Sequence, residues 1–281
     1  MANIQSNKLN TNEMVRKVPE ITLMFWIIKI FATTLGETGG DAVTMSMNLG
    51  YLAGTMIFTL FFAATVITQI REKKLNSYIY WMTIIATTTL GTTLADFCTR
   101  SLGIGYAGGS FLLFVFLMGS LFIWKHTMGS VSINTVNSPK TEMFCWGTIM
   151  FSQTLGTALG DWTADNMGLG YSGAAIVFGA LLLLVAAAYF WTKISPTALF
   201  WAAFILTRPL GAVVGDFLDK PISSGGLALS RYAASAVLLI CIVALIVLSE
   251  QKAKQAVSSN YPAYQNMYAD VDSNENEKYD K

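Results

Sequence analysis

Long apolar segments alternate with short polar ones along most of this chain. The clearest apolar segments run for about 20 residues, which is the length of an α-helix that spans a bilayer at 1.5 Å rise per residue. They are 52–70, 107–124, 172–191 and 228–248, and their few charges lie at the ends. The pattern therefore predicts transmembrane helices.

A second set of positions recurs at fixed spacing and indicates a tandem repeat. In each of four copies a tryptophan stands 10 residues before a glycine and 15 residues before an aspartate. The tryptophans are Trp26, Trp81, Trp146 and Trp201, the glycines are Gly36, Gly91, Gly156 and Gly211, and the aspartates are Asp41, Asp96, Asp161 and Asp216. A Gly-Tyr pair then follows in three copies, at Gly50-Tyr51, Gly105-Tyr106 and Gly170-Tyr171, whereas the fourth has Gly225-Gly226.

Each copy holds two helix-length segments, one before the aspartate and one after the Gly-Tyr pair. The predicted fold is therefore an all-α polytopic membrane protein with eight transmembrane helices, built from four two-helix repeats. Because every copy crosses the membrane twice, all four run in the same sense and are parallel repeats.

This pattern of tryptophan, glycine, aspartate and Gly-Tyr resembles the bacterial membrane proteins defined by the DUF347 repeat. The resemblance covers about Phe25 to Leu248. It implies four tandem repeats, each with two transmembrane regions and a characteristic tryptophan. It implies no activity, because the function of that family is uncharacterised, and function has to be argued from a site rather than from a fold.

Basic residues predict the orientation of the helices. They concentrate in the chain ends and in the connections between copies, whereas the turns within copies hold only Arg100 and Lys220. Lysine and arginine accumulate in short cytoplasmic segments, so both termini are predicted to lie in the cytoplasm. The predicted location is the inner (plasma) membrane. The four tryptophans would then anchor the helices at the inner membrane interface.

The same pattern divides the chain into five segments. These are a cytoplasmic N-terminal segment 1–21, a first membrane half 22–124, a cytoplasmic linker 125–143, a second membrane half 144–249 and a tail 250–281. The tail is acidic and polar, which predicts disorder. The first 20 residues lack an apolar core, which predicts no cleaved signal peptide.

Composition narrows the classes of function. A formal net charge of +1 without a basic stripe argues against nucleic-acid binding. The three cysteines have no paired spacing, and the single histidine, His126, falls in the linker. No nucleophile has a paired base, so we expect neither an enzyme nor a cofactor.

Ionisable residues inside the membrane are costly and are therefore functional candidates by default. Counted from the tryptophans, Glu37 and Arg208 lie near mid-membrane, and the four aspartates share one level in the outer half. Four carboxylates around a common axis would form a ring that selects cations. With Lys29 and Arg208 as the only opposing charges, the axis is expected to carry an excess of three acids, while Lys29 is expected to snorkel to the interface.

Each candidate also has a structural interpretation. The aspartates could pin the turn at the end of each first helix by accepting backbone N–H groups. Glu37 and Arg208, which have no counterpart in the other copies, could simply neutralise each other as a buried pair. The glycines Gly36, Gly91, Gly156 and Gly211 favour close helix packing, and the surrounding threonines could serve packing or line a polar pathway.

The sequence thus predicts a membrane transporter or exporter of a small cation, such as a divalent metal or a proton-coupled solute. The predicted pathway comprises Glu37, Asp41, Asp96, Asp161, Asp216 and Arg208, and the residues specify no particular metal. The expected partners are the lipid bilayer and the cation or solute, and a homo-oligomer is compatible with the sequence. The alternative is a membrane scaffold or sensor that transports nothing and uses its polar residues for helix packing.

Overall fold

The computed structural model describes residues 17–252 and residue 255, and within them it contains eight long α-helices and no strand. The helices are α1 (Leu23–Asp41), α2 (Gly50–Arg71), α3 (Ser77–Asp96), α4 (Gly105–Met128), α5 (Pro139–Asp161), α6 (Gly170–Trp191), α7 (Pro196–Asp219) and α8 (Arg231–Lys252). Each copy contains two helices, as predicted. We call the odd-numbered helix of each copy its first helix and the even-numbered one its second helix. The predicted disordered tail lies outside the described residues, apart from 250–252, which continue α8, and residue 255.

The chain divides into two units after Ile242, within α8. The first unit holds α1 to α7 and the start of α8, and the candidate site lies within it. The second unit, as far as it is described, is the remainder of α8.

Local signals in the sequence set the helix boundaries. Thr22 caps α1 by accepting the N–H of Phe25, and Asn76 caps α3 in the same way. In three copies the first helix ends at the repeated aspartate and passes into a five-residue π-helical turn. The second helix then begins at the glycine of the Gly-Tyr pair, which has a φ between +63° and +77° that few other residues adopt.

Local signals delimit the connection between α4 and α5. α4 continues to Met128 and stops at Gly129, whose left-handed backbone ends the helix. α5 begins at Pro139, where Ser138 and Thr141 form a capping box. The connection between the two helices is therefore 129–138, and the cytoplasmic linker 125–143 stays a prediction.

The four first helices form a closed ring in the first unit. α1 packs on α3, α3 on α5, α5 on α7, and α7 on α1. Each second helix packs on the first helix of the next copy, so that α2 lies on α3, α4 on α5 and α6 on α7. The start of α8 continues this order, because Ser235 bonds to Thr38 of α1 at 2.9 Å.

Burial separates the inner helices from the outer ones. The second helices α2, α4 and α6 expose large apolar side chains, among them Leu60, Phe111 and Leu183, each more than 70% exposed. Five helices, α2, α4, α6, α7 and α8, are long and apolar enough to cross a membrane. The polar helices α1, α3 and α5 are of similar length and bury their threonines and glycines inside the ring. An apolar exterior around a polar interior is the arrangement of a membrane protein.

Candidate functional site

The side chains between the four first helices are stacked in levels along a common axis. Residues four apart lie on one face of a helix, and the residues at 3, 7, 11 and 15 positions after each tryptophan are all buried. We name each level after its distinctive residue. The lysine level is Lys29, Ile84, Ile149 and Phe204; the arginine level is Thr33, Thr88, Gln153 and Arg208; the glutamate level is Glu37, Thr92, Thr157 and Ala212; and the aspartate level is Asp41, Asp96, Asp161 and Asp216.

Arg208 occupies the centre of this axis. Its side chain is fully buried, and its guanidinium donates hydrogen bonds to groups on all three other first helices. The acceptors are the Thr33 carbonyl at 3.3 Å, the Thr88 carbonyl at 3.4 Å, and the hydroxyls of Thr92 and Thr157. A side chain that contacts α1, α3 and α5 from α7 closes the space between them.

The expected pairing of Glu37 with Arg208 is present. Nη2 of Arg208 lies 3.0 Å from Oε2 of Glu37, and both side chains are buried. Thr92 also donates to this carboxylate oxygen at 3.2 Å. The two charges that break the fourfold repeat therefore meet in the middle of the axis.

The four aspartates lie together at the end of the axis, but they do not form a free carboxylate ring. Lys220 bonds to Asp41 and lies 3.0 Å from Asp216. Nε of Arg100 lies 3.0 Å from Oδ1 of Asp96, and its Nη2 lies 3.3 Å from Oδ2 of Asp161. Each of the two basic residues thus bridges one pair of aspartates from neighbouring copies.

Lys220 and Arg100 are parts of the site that the sequence pattern did not predict. Both stand four residues after a repeated aspartate, whereas the first and third copies have Met45 and Asp165 there. This offset was a readable signal, because residues i and i+4 are neighbours on a helix. Their presence also corrects the predicted charge of the axis, since five acids now face four cations and the excess is one acid instead of three.

Lys220 keeps its proton in this setting. Burial alone would lower the pKa of the Lys220 ammonium, but the carboxylates of Asp216 and Asp41 outweigh burial and raise it. The pair of aspartates is therefore occupied by a full positive charge attached to the chain.

The structure does not support the turn-pinning interpretation of the aspartates. Where α1, α3 and α5 pass into their π-helical turns, Asp41, Asp96 and Asp161 make no side-chain bond that caps the turn. Their carboxylates face lysine and arginine instead, because a buried carboxylate is stabilised more by a cation than by a neutral donor.

Tyrosines of the Gly-Tyr pairs border the aspartate level. The rings of Tyr51 and Tyr106 lie 6.0 and 5.9 Å from the guanidinium carbon of Arg100. Arg100 also donates to the hydroxyl of Tyr51 at 3.3 Å. In the fourth copy, where this tyrosine is absent, Arg231 approaches Asp41 at 3.9 Å and pairs with Asp219 at 2.8 Å.

Lys29 is placed differently from the prediction. It was expected to extend to the membrane interface, but it is fully buried, with its ammonium 4.2 Å from the centre of the Phe204 ring. Phe204 holds the equivalent position on α7, so the two side chains share the lysine level. The ring attracts the cation and holds it inside the protein.

The repeated glycines bring the first helices close together. A Cβ added to Gly36 would lie 2.4 Å from Cβ of Thr88, and at Gly211 it would lie 2.1 Å from Oγ1 of Thr33. Gly91 meets Gln153 and Gly156 meets Arg208 in the same way. Each glycine therefore receives the arginine-level residue of a neighbouring helix.

Most of the buried threonines serve the helices themselves. The hydroxyls of Thr34, Thr87 and Thr154, for example, bond to carbonyls of their own helices. A smaller set crosses between helices, as Thr33 does to the Thr207 carbonyl at 3.2 Å and Thr88 to the Ala32 carbonyl at 3.3 Å. These contacts favour packing over a hydroxyl-lined pathway.

Three of the four repeated tryptophans are enclosed by protein. Trp81, Trp146 and Trp201 are buried, and Trp26 is half-buried. The Trp201 indole donates to the Val131 carbonyl in the linker at 3.0 Å. Their role as interface anchors stays a prediction, while their packing at the starts of the first helices is a feature of the fold.

Comparison with protein families agrees with the repeat that the structure displays. The model described as "Repeat of Unknown Function (DUF347)" matches four times, at residues 24–74, 79–130, 144–195 and 199–249. The chain belongs to the DUF347 family. No curated protein and no solved structure matches this DUF347 protein. The four matched stretches correspond to the four copies, each with one first and one second helix.

One group of acids in this DUF347 protein has the geometry of a cation site. Glu37, Asp41 and Asp216 are buried and each offers a carboxylate oxygen within 4.8 Å of the other two. Oxygen ligands of this kind suit hard cations such as Mg²⁺, Ca²⁺ or Mn²⁺. Arg208 and Lys220 pair with these same acids, so that chain cations already neutralise part of their charge.

Proposed function

We propose that this DUF347 protein moves a small cation across the plasma membrane along the axis between its four first helices. The observation that carries the proposal is the convergence of Glu37, Asp41 and Asp216, whose oxygens lie within 4.8 Å of one another. Buried carboxylates are costly in a membrane and mark ion or proton pathways. The termini are proposed to face the cytoplasm, which puts the aspartate level near the outer surface.

Lys220 has the role of a tethered cation in this proposal. Its ammonium rests between Asp41 and Asp216 and is partly accessible, with 12% of its side chain exposed. A cation that enters from the outer side takes this position and displaces the ammonium. Exchange of one positive charge for another keeps the buried acids neutralised at every stage.

The position of Arg208 argues against a permanently open channel along the axis. Its guanidinium bonds across the whole axis and pairs with Glu37 in the middle of it. Passage therefore requires Arg208 to leave its partners, which is the behaviour of a carrier that changes conformation. A cation that binds Glu37 weakens its hold on Arg208 and couples binding to that movement.

The test is a flux measurement on purified protein in liposomes. Mn²⁺, Mg²⁺, Na⁺ and protons are offered separately, and the wild type is compared with Asp41→Asn and Asp216→Asn. We expect uptake of at least one of these cations by the wild type and a loss of about tenfold or more in each variant, because one charge of the site is gone.

Asp165→Asn is the matched control. Asp165 has the same chemistry, but it is exposed and does not belong to the group of Glu37, Asp41 and Asp216, so its change should leave flux intact. All variants are compared at equal thermal stability. Undiminished flux in both Asp41→Asn and Asp216→Asn would refute the proposed site, and no cation flux in the wild type would favour a membrane scaffold or sensor.

A further inference from the structure

The amine of Lys29 has no acidic side chain in direct contact among the described residues. Its ammonium is fully buried and has no hydrogen-bond partner within 17–252. The nearest acid along α1, Glu37, is paired with Arg208. The ring of Phe204 covers one side of the ammonium and leaves its N–H donors without an acceptor.

Gln153, one level further along the axis, has the same deficiency. It is fully buried, and neither atom of its side-chain amide has a partner among the described residues. Gln153 and Arg208 occupy the same offset in their copies, and their side chains pack at Gly91 and Gly156 respectively. Since Arg208 extends from that packing position to the axis, Gln153 is expected to extend there as well.

Arg208 adds a third donor to this stretch. Its terminal nitrogens bond to the Thr33 carbonyl and to Glu37, but its Nε has no partner among the described residues. Nε lies on the side chain between the backbone of α7 and the guanidinium carbon, one helical turn from Phe204 and Lys29. Lys29, Gln153 and Arg208 therefore belong to two adjacent levels of the axis, and the neighbouring Ile84 and Ile149 offer no side-chain acceptor.

We propose that this stretch of the axis binds one small inorganic anion of the size of chloride. The ammonium of Lys29, the amide N–H of Gln153 and Nε–H of Arg208 are its donors. Buried donors without acceptors are rare in folded proteins, and an anion satisfies all three while it neutralises Lys29. A single ion fits better than an organic anion, because every side chain of the lysine and arginine levels is already buried. This site includes none of the acids of the cation proposal, but it shares Arg208 with it.

The test is the thermal unfolding midpoint of the purified full chain at constant ionic strength. Chloride, bromide and nitrate are titrated against gluconate, which is too large for the site. We expect the small anions to raise the midpoint in a saturable way for the wild type. Lys29→Met and Gln153→Leu should each raise the half-saturating anion concentration by about tenfold or more, and a tenfold change corresponds to 1.4 kcal/mol of binding free energy.

Lys73→Met is the control, because Lys73 is an exposed lysine outside the helices. It should keep the wild-type anion response. Equal midpoints of the wild type in chloride and gluconate would overturn the proposal, and so would an unchanged chloride response in both axis variants. If Lys29→Met does not fold, Gln153→Leu and the position of bromide in crystals of the wild type decide, and the absence of bromide beside Lys29 counts against the site.

Discussion

At the scale of the residue, the axis is distinguished by charged residues that occur in only one of the four copies. Glu37, Arg208 and Lys29 each occupy an offset where the other copies have neutral residues. Arg100 and Lys220 occur only in the second and fourth copies, so the aspartates are paired two by two. The four copies share one two-helix arrangement, but the charged residues on the axis do not follow the fourfold repeat.

The Glu37–Arg208 pair gives the first prediction. Arg208→Ala leaves Glu37 as an uncompensated charge inside the protein, and we expect it to cost about 3 to 5 kcal/mol of stability. The double variant Arg208→Ala with Glu37→Ala should cost less than Arg208→Ala alone. The measurement is the unfolding midpoint in detergent.

Additivity decides this prediction. If the double variant shows the sum of the two single losses, the residues do not stabilise each other and the pair is incidental. Thr34→Ala is a suitable control, because the Thr34 hydroxyl bonds only within its own helix, at 3.0 Å to the Ile30 carbonyl.

At the scale of the element, the close approach of first helices depends on glycine. We expect Gly211→Ala to destabilise the protein by about 1 to 3 kcal/mol, because the added Cβ would lie 2.1 Å from the hydroxyl oxygen of Thr33 and force α1 and α7 apart. Yield and unfolding midpoint are the measurements.

Gly119→Ala serves as the matched control for that prediction. Gly119 lies inside α4, and a Cβ added there meets no other atom within 4 Å. The change should be neutral or slightly stabilising, since alanine is the better helix former. Equal stability of both alanine variants would contradict the close-packing role of Gly211.

Lys17 and Val18, before α1, contact the start of α5 and the end of α2. Lys17 pairs with Glu142 of α5 and donates to the Ile70 carbonyl at 3.1 Å, while Val18 and Cys145 line the same small cavity. We expect Glu142→Gln to release this segment and to speed maleimide labelling of the buried Cys145 by about tenfold or more, because loss of one partner of a buried pair shifts the opening equilibrium.

Labelling is measured in a chain whose other cysteines, Cys98 and Cys241, are replaced by serine. Lys140→Met, a change of an exposed residue on the same helix, should leave the labelling rate as it is. A rate that Glu142→Gln does not alter would show that the ion pair does not hold the segment in place.

At the scale of the whole molecule, the four first helices close into a ring through contacts between neighbouring copies, and α2, α4 and α6 each pack on the first helix of the next copy. The polar first helix of copies two to four is covered by the second helix of the preceding copy. A single copy therefore cannot bury its own polar helix. We therefore expect the repeats to fold as a set, as repeat architectures generally do.

Topology provides the whole-molecule prediction. Reporters fused after Arg71, within 129–138 and at the C-terminus should all read cytoplasmic, because basic residues collect in or beside these segments, as Lys125 and Lys140 do on either side of 129–138. A reporter inserted after Leu102, in the turn between α3 and α4, should read external. A cytoplasmic signal at Leu102 would contradict the proposed orientation.

The sequence by itself determined the repeat, the number of helices and the level of the aspartates, because fixed spacing and hydrophobic length are local properties of the chain. It also indicated the Glu37–Arg208 pair, since two unmatched charges at similar depth inside a membrane have a strong reason to meet. The tertiary structure alone decided which neighbours the other charges find. Lys220 bridges copies four and one, Arg100 bridges copies two and three, and Lys29 is buried instead of reaching the interface. These outcomes depend on which helices adjoin in the ring and on how far a flexible side chain reaches across the axis, and neither is written in the spacing of residues along the chain.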